Sequence, residues 1–376
     1  MKKSRILLVV RYPVGGIRTF FRYVYTKFDP DKYSFTLIAP EMTEARVLLD
    51  DLKGLELTPV FVTKNVTSSQ LFREVLRVAR ENKFDLIHSH GFTSGICSIP
   101  AAKLTRTPHI MTAHDVFTSR QFQGIRGIFK KTILAALMMT IDCIHCVSDD
   151  ARENLLSYLW MLRFSKSRVI VIKNGIDTRQ FQRQGARDFR RELGLPADAL
   201  LIGFLGRFMS QKGFKYLVEA LVLLERQNLP RRILVLSFGA DGYIREEREA
   251  VRKKGLADSI LFLPFVADPT ATLKGLDVVA MPSLWEACGL LAMETMVAGV
   301  PLVGTSCVGL REVLRDTPAK MVPPEDGNAL YEALLDELQQ PTKGIAQEFA
   351  AEAAARFDVI ARAAEIEAMT QKYART

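Results

Sequence analysis

Short apolar runs alternate with longer helical segments along almost the whole of this chain. Ile6 to Val10 is an unbroken apolar run near the start, and Leu200 to Leu205 is a comparable run in the second half. Runs without alternation predict strands that are buried on both faces. Because helical segments separate them, each half is expected to fold as βαβ units that form a parallel sheet with helices on both faces.

The length of the chain indicates two such sheets. A chain of 376 residues exceeds what one hydrophobic core usually supports. The segment from Gln180 to Pro196 is polar, charged and ends in proline, which makes it the best linker candidate. We therefore predict an α/β fold with Rossmann-like domains at residues 1–180 and 181–355, followed by a C-terminal helix at residues 356–376. That helix belongs to an Ala-rich segment, Ala346 to Ala374, which is predicted to be helical.

The charge balance favours an anionic partner. A formal net charge of +9 attracts sugar nucleotides, nucleic acids or acidic membranes, but the basic residues are scattered, so nucleic acid is not expected. The apolar run near the N-terminus is too short for a secretion signal and no cleavage site follows it, which favours the cytoplasm. Cys143 and Cys146 have the spacing of metal ligands. No second pair exists, so reduced structural thiols and no metal are expected.

Glycines and histidines follow the strands of the first half. Gly15 and Gly16 lie between the first strand and a helix, where a backbone without side chains lets a ligand approach free N–H groups. The segment is not G-x-G-x-x-G and no acidic residue ends the next strand, which disfavours a nicotinamide-dependent oxidoreductase. His88 and His90 end one later strand and His114 ends the next. Of these three, His114 is the one expected to act on a ligand.

A basic and apolar segment lies beyond His114. Residues 117–140 combine Arg126, Lys130 and Lys131 with large apolar side chains. Two interpretations stay open. The segment is either a surface helix that faces anionic lipid, or an ordinary helix whose apolar side joins the core.

Two cations occupy the first loop of the second half. Arg207 and Lys212 lie between the strand that begins at Leu200 and the helix that begins at Phe214. Two fixed cations at the carboxyl end of a strand suit a diphosphate. The alternative is a pair of solvated surface bases.

Two glutamates flank a small loop further on. If a helix begins near Gly289, Glu286 lies above its N-terminus and Glu294 lies in its second turn. The backbone of Cys288, Gly289 and Leu290 then offers N–H groups to phosphates. The alternative is a cap at Glu286 and a solvated face at Glu294. No residue four positions away can pair with Glu294, and a buried carboxylate needs a partner, which favours ligand binding.

Cations, amides, carboxylates and an imidazole together suit a nucleoside-diphosphate sugar. With these motifs the chain resembles the GT-B glycosyltransferases of the retaining GT4 family. The motifs occur in the family's order along nearly the whole chain: Gly15-Gly16, Asp85-Leu86-Ile87-His88-Ser89-His90, Thr112-Ala113-His114-Asp115, Asn174-Gly175-Ile176-Asp177, Gly206-Arg207, Lys212-Gly213, Glu286 with Glu294, and Gly299-Val300-Pro301.

The resemblance implies a role for each candidate residue. In a GT-B fold two Rossmann-like domains face each other across a cleft, the first binding the acceptor and the second the nucleotide sugar. Arg207 and Lys212 would bind the diphosphate and Glu294 the ribose. Glu286 and His114 would contact the donor sugar, which completes an expected catalytic set of these two residues and the two cations.

The resemblance also implies roles outside that set. Gly16 would let the N-terminal loop close on the donor, with Gly15 beside it. Phe265 and Val266 would contact the base. The helix at residues 356–376 would cross back onto the first domain.

Two segments depart from the family pattern. Ala287-Cys288-Gly289 stands where the family usually has Gly-Phe-Gly, so the phosphate contact of Gly289 is kept and the sugar pocket differs at Cys288. The segment from Cys307 to Glu312 lacks the usual second glycine and the proline before the glutamate, which alters the pocket wall.

The expected activity is retaining transfer of a sugar to a saccharide or lipid-linked saccharide in cell-envelope or exopolysaccharide synthesis. No D-x-D motif ends a strand, so no metal or other cofactor is expected. No nucleophile is evident, which favours front-face attack with the departing phosphate as base. The expected location is cytoplasmic, at or near the inner face of the cell membrane. The alternatives are a sugar-nucleotide epimerase of the same fold and a non-catalytic sugar-nucleotide-binding protein.

Overall fold

The protein consists of two compact units. The structure, a computed structural model, describes residues 2–227, 229–239 and 243–374. Unit 1 joins the residues up to Gly175 to the C-terminal residues from Val359, and unit 2 is Ile176–Asp358. Each unit contains its own parallel sheet with helices, so the predicted α/β class with two Rossmann-like domains is confirmed.

Unit 1 is built on a sheet of seven parallel strands in the order β3-β2-β1-β4-β5-β6-β7. The strands are β1 (Ser4–Val10), β2 (Tyr33–Pro40), β3 (Leu57–Val62), β4 (Leu86–His90), β5 (His109–Ala113), β6 (Cys143–Cys146) and β7 (Val169–Val171). The order reverses between β1 and β4. Ligands of open α/β sheets bind at the carboxyl ends of strands beside such a reversal, which is called the switch point.

Two helices of unit 1 begin at residues whose side chains cap the helix. Thr67 and Gln70 form a capping box ahead of the third helix, and the Ser148 hydroxyl accepts from Ala151 N at 3.0 Å ahead of the sixth. The first six helices are α1 (Gly16–Val24), α2 (Thr43–Asp51), α3 (Ser68–Glu81), α4 (Phe92–Thr105), α5 (Gly124–Met138) and α6 (Asp149–Tyr158).

Unit 2 is built on a sheet of six parallel strands in the order β10-β9-β8-β11-β12-β13. Its switch point lies between β8 and β11. The strands are β8 (Leu200–Leu205), β9 (Ile233–Phe238), β10 (Ile260–Leu263), β11 (Val278–Met281), β12 (Leu302–Thr305) and β13 (Lys320–Val322). The helices are α7 (Arg179–Arg183), α8 (Phe189–Glu192), α9 (Phe214–Glu225), α10 (Ile244–Lys253), α11 (Thr270–Lys274), α12 (Leu290–Val297), α13 (Leu310–Leu314), α14 (Gly327–Gln339) and α15 (Lys343–Phe357).

The chain enters unit 2 at Ile176, earlier than the expected division after residue 180. Ile176 N donates to Phe357 O at 2.8 Å, and Ile176 forms a β-bridge with Asp358. These contacts attach the chain to unit 2 as soon as the Asn174-Gly175 turn is complete.

The segment from Gln180 to Pro196 is part of unit 2, so its interpretation as a linker is wrong. It holds most of α7 and all of α8. Phe181 and Phe189 are buried, and Arg190 pairs with Asp277 at 2.6 Å. The polar composition of the segment concealed these two aromatic anchors.

The helical C-terminal segment is interrupted, because Asp358 has extended backbone angles (φ −61°, ψ 131°). The helix after the break is α16 (Val359–Tyr373), which packs on α1 with Ile366 and Met369 buried. The predicted return of the last helix to the first domain is confirmed. The helix begins at Val359, after the expected start at residue 356, and residues 375 and 376 of the predicted helix lie outside the described residues.

Candidate active site

The loop between β8 and α9 carries the two cations predicted to bind a diphosphate. Arg207 is exposed, and Lys212 is half-buried at the end of a single 3-10 turn. Gly213 follows with φ 65°, and a Cβ there would lie 1.9 Å from the Pro282 carbonyl oxygen. Only glycine permits this approach, which brings the cation-bearing loop against the residue that follows β11.

Glu286 accepts a hydrogen bond directly from Lys212. Its Oε1 accepts from Lys212 Nζ at 2.6 Å and from Ser283 Oγ at 2.8 Å, and only 8% of the residue is exposed. The structure therefore brings together two candidates that the sequence placed on separate loops. Ser283 was not predicted as a site residue. Its only sequence signal was a small polar residue after the proline that ends the strand.

The segment from Cys307 to Glu312 holds the backbone of Glu286. Glu286 N donates to Val308 O at 2.9 Å. Gly309 has φ 77°, and a Cβ there would lie 2.2 Å from the Glu286 carbonyl oxygen. The segment that departs from the family pattern therefore still packs directly on the site, and the single glycine that it retains makes the approach possible.

Helix α12 begins directly after Gly289, as predicted. Its N-cap residue, Gly289, has no side chain that could cap the helix. Cys288 is partly exposed, and its carbonyl oxygen accepts from Leu290 N at 2.9 Å. The Leu290 N–H is therefore used inside the loop, and a phosphate would have to displace that contact to reach it. A side chain at Gly289 would meet Leu310 Cδ1 at 2.7 Å, which explains a small residue at this position.

Glu294 lies in the second turn of α12 and is only 7% exposed. The alternative of a solvated glutamate is therefore wrong. A buried carboxylate in an otherwise apolar helix costs stability unless polar groups compensate it, which is why such residues are often retained for ligand contact.

Phe265 and Val266 follow β10, which is the edge strand of the sheet and is separated from β8 by β9. Phe265 is 55% exposed and Val266 is half-buried. An exposed aromatic ring beyond the carboxyl end of a strand can stack on a flat ligand.

Gly15 and Gly16 form the N-terminus of α1 in unit 1. Gly15 has φ 54°, and a Cβ at either glycine would meet no described atom within 4 Å. The space beside this helix terminus is open, and it follows β1 at the switch point of the sheet.

His114 follows β5 and packs against the same helix. Phe20 of α1 lies edge-on to the His114 ring, with centroids 4.9 Å apart. His114 Nε2 lies 3.0 Å from His90 Nδ1. Burial lowers the pKa of His114 to about 3, so the imidazole is neutral at physiological pH. Phe20 and His90 were not predicted as site residues, and they place the His114 ring.

The segment around α5 matches neither interpretation completely. Leu134 and Met138 are buried, but four large apolar residues of the helix are more than half exposed. They are Ile125 (76% exposed), Ile128 (64%), Phe129 (67%) and Ile133 (58%), and together they are called the α5 surface. An ordinary core helix is therefore excluded for this face. Arg126 and Lys130 are exposed on the same helix.

The described residues show no cluster of three or more His, Cys, Asp or Glu side chains that could hold a metal ion. Cys143 and Cys146 are free, buried thiols in β6. Burial raises the pKa of Cys143 to about 11 and that of Cys146 to about 12, so neither is a reactive thiolate.

Several solved structures share this architecture over nearly the whole chain. HepE from Anabaena, solved with UDP and glucose, superposes with a TM-score of 0.80 over 98% of this chain and 100% of its own, at 20% identity. WaaG, a glycosyltransferase of lipopolysaccharide biosynthesis, superposes with a TM-score of 0.72 over 97% and 99%, at 17% identity. The two sheets and the returning helix therefore define a GT-B glycosyltransferase fold.

Two family models cover most of the chain. One is described as Glycosyltransferase Family 4 and matches residues 14–180, and the other is described as Glycosyl transferases group 1 and matches residues 199–340. The chain belongs to the GT4 family of GT-B glycosyltransferases, which confirms the resemblance seen in its motifs.

Curated relatives differ in substrate. The 2-deoxystreptamine N-acetyl-D-glucosaminyltransferase of Streptomyces fradiae is 35% identical over 67% of this chain and 62% of its own length. A galactosyltransferase of Escherichia coli that acts on GlcNAc-diphosphoundecaprenol is 24% identical over 82% and 80%. An uncharacterized glycosyltransferase of Methanocaldococcus jannaschii is 29% identical over 68% and 66%. The chain thus spans less than two thirds of the first and third of these relatives.

Proposed function

We propose that this glycosyltransferase moves a sugar from a nucleoside-diphosphate sugar to a saccharide or lipid-linked saccharide, with retention of configuration and without a metal ion. The observation that carries the proposal is the 2.6 Å contact between Lys212 and Glu286 at the switch point of unit 2. A fixed cation there stabilises the charge that develops on a departing diphosphate. The carboxylate beside it can accept hydrogen bonds from sugar hydroxyls.

The remaining candidates supply the other parts of donor recognition. Arg207 adds a second cation for the diphosphate. The N-terminus of α12 near Gly289 contributes the positive end of the helix dipole. Glu294 accepts from the ribose hydroxyls. The base stacks near Phe265 and Val266.

Unit 1 contributes to the sugar end of the donor. His114 contacts the donor sugar, and Gly15 and Gly16 allow the N-terminal loop to close over it. Exclusion of water by such closure would limit hydrolysis of the donor.

Front-face attack gives a balanced step with these groups. The bond between the anomeric carbon and the diphosphate oxygen breaks, and the acceptor oxygen bonds to that carbon on the same face. The acceptor's proton passes to the departing phosphate oxygen. Lys212 and Arg207 neutralise the diphosphate, which is the task that a metal ion performs in other transferases.

Relatives support the substrate class. HepE was solved in complex with UDP-glucose, and the Escherichia coli relative uses UDP-Gal with a lipid-diphosphate acceptor. A phosphatidyl-myo-inositol mannosyltransferase of Mycolicibacterium smegmatis is 28% identical over 71% of this chain and 65% of its own length. A UDP-sugar and a lipid-linked acceptor of cell-envelope or exopolysaccharide synthesis are therefore the first pair to test.

Thermal-shift screening across UDP-, GDP- and ADP-sugars in EDTA would identify the donor. Turnover with an acceptor library, followed by NMR of the new anomeric proton, would test retention. Product with inverted configuration would contradict the retaining mechanism, and turnover that requires added Mg²⁺ or Mn²⁺ would contradict metal independence. A sugar-nucleotide epimerase would convert the donor with no acceptor present, and a non-catalytic binding protein would bind the donor without turnover.

The α5 surface favours an anionic bilayer as the place where the acceptor is met. Exposed Ile125, Ile128, Phe129 and Ile133 form an apolar face, and exposed Arg126 and Lys130 flank it. Apolar insertion together with basic attraction is how surface helices bind acidic lipid. The proposed contact is peripheral, through this exposed face. Among the described residues, no helix is long and apolar enough to cross a membrane.

Co-sedimentation with vesicles that contain anionic phospholipid tests this contact. Wild-type protein should bind in proportion to anionic lipid, and Phe129→Ser with Lys130→Ser should reduce binding. Leu104→Ser is the matched control, because Leu104 is 60% exposed on α4 of the same unit. Equal binding by both variants, or no binding by the wild type, would remove the membrane from the proposal.

A further inference from the structure

A continuous hydrogen-bond chain runs through unit 1 and ends at His114. It uses four of the five histidines of the protein. In order, the contacts are Ile172 O to His145 Nε2 (2.9 Å), His145 Nδ1 to Thr112 Oγ1 (3.1 Å), Thr112 Oγ1 to His88 Nε2 (2.8 Å), His88 Nδ1 to Tyr25 Oη (2.9 Å), Tyr25 Oη to His90 Nε2 (2.9 Å), and His90 Nδ1 to His114 Nε2 (3.0 Å).

The histidines of this chain are neutral. Burial is the main cause, and it lowers the pKa values of His88 and His90 well below the ordinary value, that of His114 to about 3 and that of His145 to about 4. A neutral imidazole carries one N–H and one bare nitrogen. Each ring can therefore donate at one end and must accept at the other.

A backbone carbonyl at one end fixes the direction of the whole chain. Ile172 O can only accept, so His145 Nε2 carries the proton and His145 Nδ1 is bare. The Thr112 hydroxyl must donate to that bare nitrogen. Its single proton is then used, and it accepts from the Nε2–H of His88.

The same rule passes the direction on to His114. His88 Nδ1 is bare, so Tyr25 donates its hydroxyl proton to it and accepts from the Nε2–H of His90. His90 Nδ1 is then bare and accepts from the Nε2–H of His114. His114 Nδ1 remains as a bare acceptor, and it makes no hydrogen bond with any described residue.

We propose that Tyr25, Thr112 and the three interior histidines are positioning residues that lock His114 as its neutral Nε2–H tautomer, so that Nδ1 accepts a hydrogen bond from a ligand hydroxyl. The assignment of that hydroxyl to a sugar rests on the proposed function. The fixed tautomer of His114 does not depend on the proposed function.

The fixed positions of the protonated and the bare nitrogen of His114 have a consequence for which ligand groups the ring can bind. A bare nitrogen attracts an O–H donor and repels phosphate oxygens, which are acceptors only. His114 therefore selects the polyhydroxyl part of a ligand. An imidazole free to change tautomer or to protonate would bind hydroxyls and phosphates alike.

The tautomers can be measured without any ligand. Protein labelled with ¹⁵N-histidine gives long-range ¹H–¹⁵N correlations in which protonated and bare ring nitrogens are well separated. We expect His88, His90, His114 and His145 to be Nε2–H tautomers that do not titrate between pH 8 and 6. A protonated Nδ1 on His114 in the wild type would overturn the proposal.

Two conservative variants cut the chain at different points. Thr112→Val and Tyr25→Phe each remove one hydroxyl, so the direction set by Ile172 no longer reaches His114, and both of its tautomers should then populate. Ser89→Ala is the matched control, because Ser89 Oγ is an equally buried hydroxyl 2.8 Å from the fifth histidine, His109, outside the chain. Ser89→Ala should change His109 and leave His114 unchanged.

An unchanged, single Nε2–H tautomer of His114 in a folded Thr112→Val or Tyr25→Phe variant would contradict the lock. If neither variant folds, the wild-type tautomers alone decide.

The consequence for binding is measured separately by calorimetry. Thr112→Val should weaken binding of the donor sugar nucleotide about 3- to 10-fold, the effect of one lost hydrogen bond, and leave UDP affinity unchanged. Failure of every sugar nucleotide to bind the wild type would refute the proposed function and leave the tautomer result standing.

Discussion

Lys212 is held in place before any ligand binds. Its ammonium group contacts Glu286, and both side chains are largely shielded, with 27% and 10% of their surfaces exposed. Arg207 on the same loop is exposed, so it is free to adjust to a ligand. The two cations are therefore expected to act differently, Lys212 as a fixed charge and Arg207 as an adaptable one.

Removal of either cation should reduce turnover while the protein still folds. We expect Arg207→Ala and Lys212→Ala to lower kcat by about 10²–10³, because each withdraws charge stabilisation from the leaving diphosphate. Steady-state kinetics with the identified donor measures the effect. Lys254→Ala, an exposed lysine after α10, is the control and should keep wild-type kcat. Near-wild-type turnover in both test variants would contradict the assignment of these two cations to the diphosphate.

Glu294 should act on the nucleotide and not on the sugar. Glu294→Ala and the isosteric Glu294→Gln should weaken UDP binding by about 10- to 100-fold, the value of a hydrogen bond to a charged group. Titration calorimetry with UDP measures the change, and Glu332→Ala, an exposed glutamate in α14, is the control. Unchanged UDP affinity in both Glu294 variants would count against the ribose role.

The elements of the site are brought together by glycines at close backbone contacts. Gly213 sets the β8–α9 loop against Pro282, and Gly309 sets the loop after β12 against Glu286. Neither glycine could be distinguished by sequence from other loop glycines, because the contact that requires it comes from a distant part of the chain.

Gly213→Ala should be far more costly than an alanine at another glycine of similar backbone angle. Gly213 and Gly255 have φ values of 65° and 73°, but a Cβ at Gly255 meets no described atom within 4 Å. Gly255→Ala should therefore lower stability by about 1 kcal/mol from backbone strain alone. Gly213→Ala should lower stability by roughly several kcal/mol more than Gly255→Ala, because the backbone must shift to make room for the new Cβ. Thermal unfolding of both variants tests this, and equal losses would contradict the contact.

At the scale of the whole molecule, the two units differ in histidine content. All five histidines, His88, His90, His109, His114 and His145, belong to unit 1, and each is buried or partly buried beside the sheet. Burial holds the pKa of His109 at about 3, as it does for His114. Acid should therefore act on the two units unequally.

Unit 1 should lose stability first as the pH falls. The unfolded histidines have pKa values near 6.5, and the folded values are lower, so the unfolded state binds more protons below pH 6.5. The stabilisation is complete above that pH and is lost as the pH falls towards about 3–4. Each histidine can contribute up to about 1.4 kcal/mol per pH unit. Peptide-level hydrogen exchange at pH 7.5 and 5.5 measures both units, with unit 2 as the internal reference. Equal loss in both units would contradict the prediction.

Much of the fold could be predicted from the sequence, because the patterns that mark strands and helix ends are local. Uninterrupted apolar runs marked the strands, and the capping residue Ser148 marked the start of α6. The predictions were wrong where tertiary contacts override local composition. Phe181 and Phe189 turn a polar segment into part of unit 2, and Asp358 breaks an Ala-rich helix at a β-bridge to Ile176.

The sequence by itself determined the α/β class and the loops in which candidate residues lie, because the carboxyl ends of parallel strands meet at one edge of a sheet. Only the tertiary structure decided which of these residues touch. The strand orders place β8 beside β11, which brings Lys212 to Glu286, and β4 beside β5, which brings His90 to His114. The physical reason is that periodicity reports how one segment is buried, whereas contacts depend on which segments become neighbours.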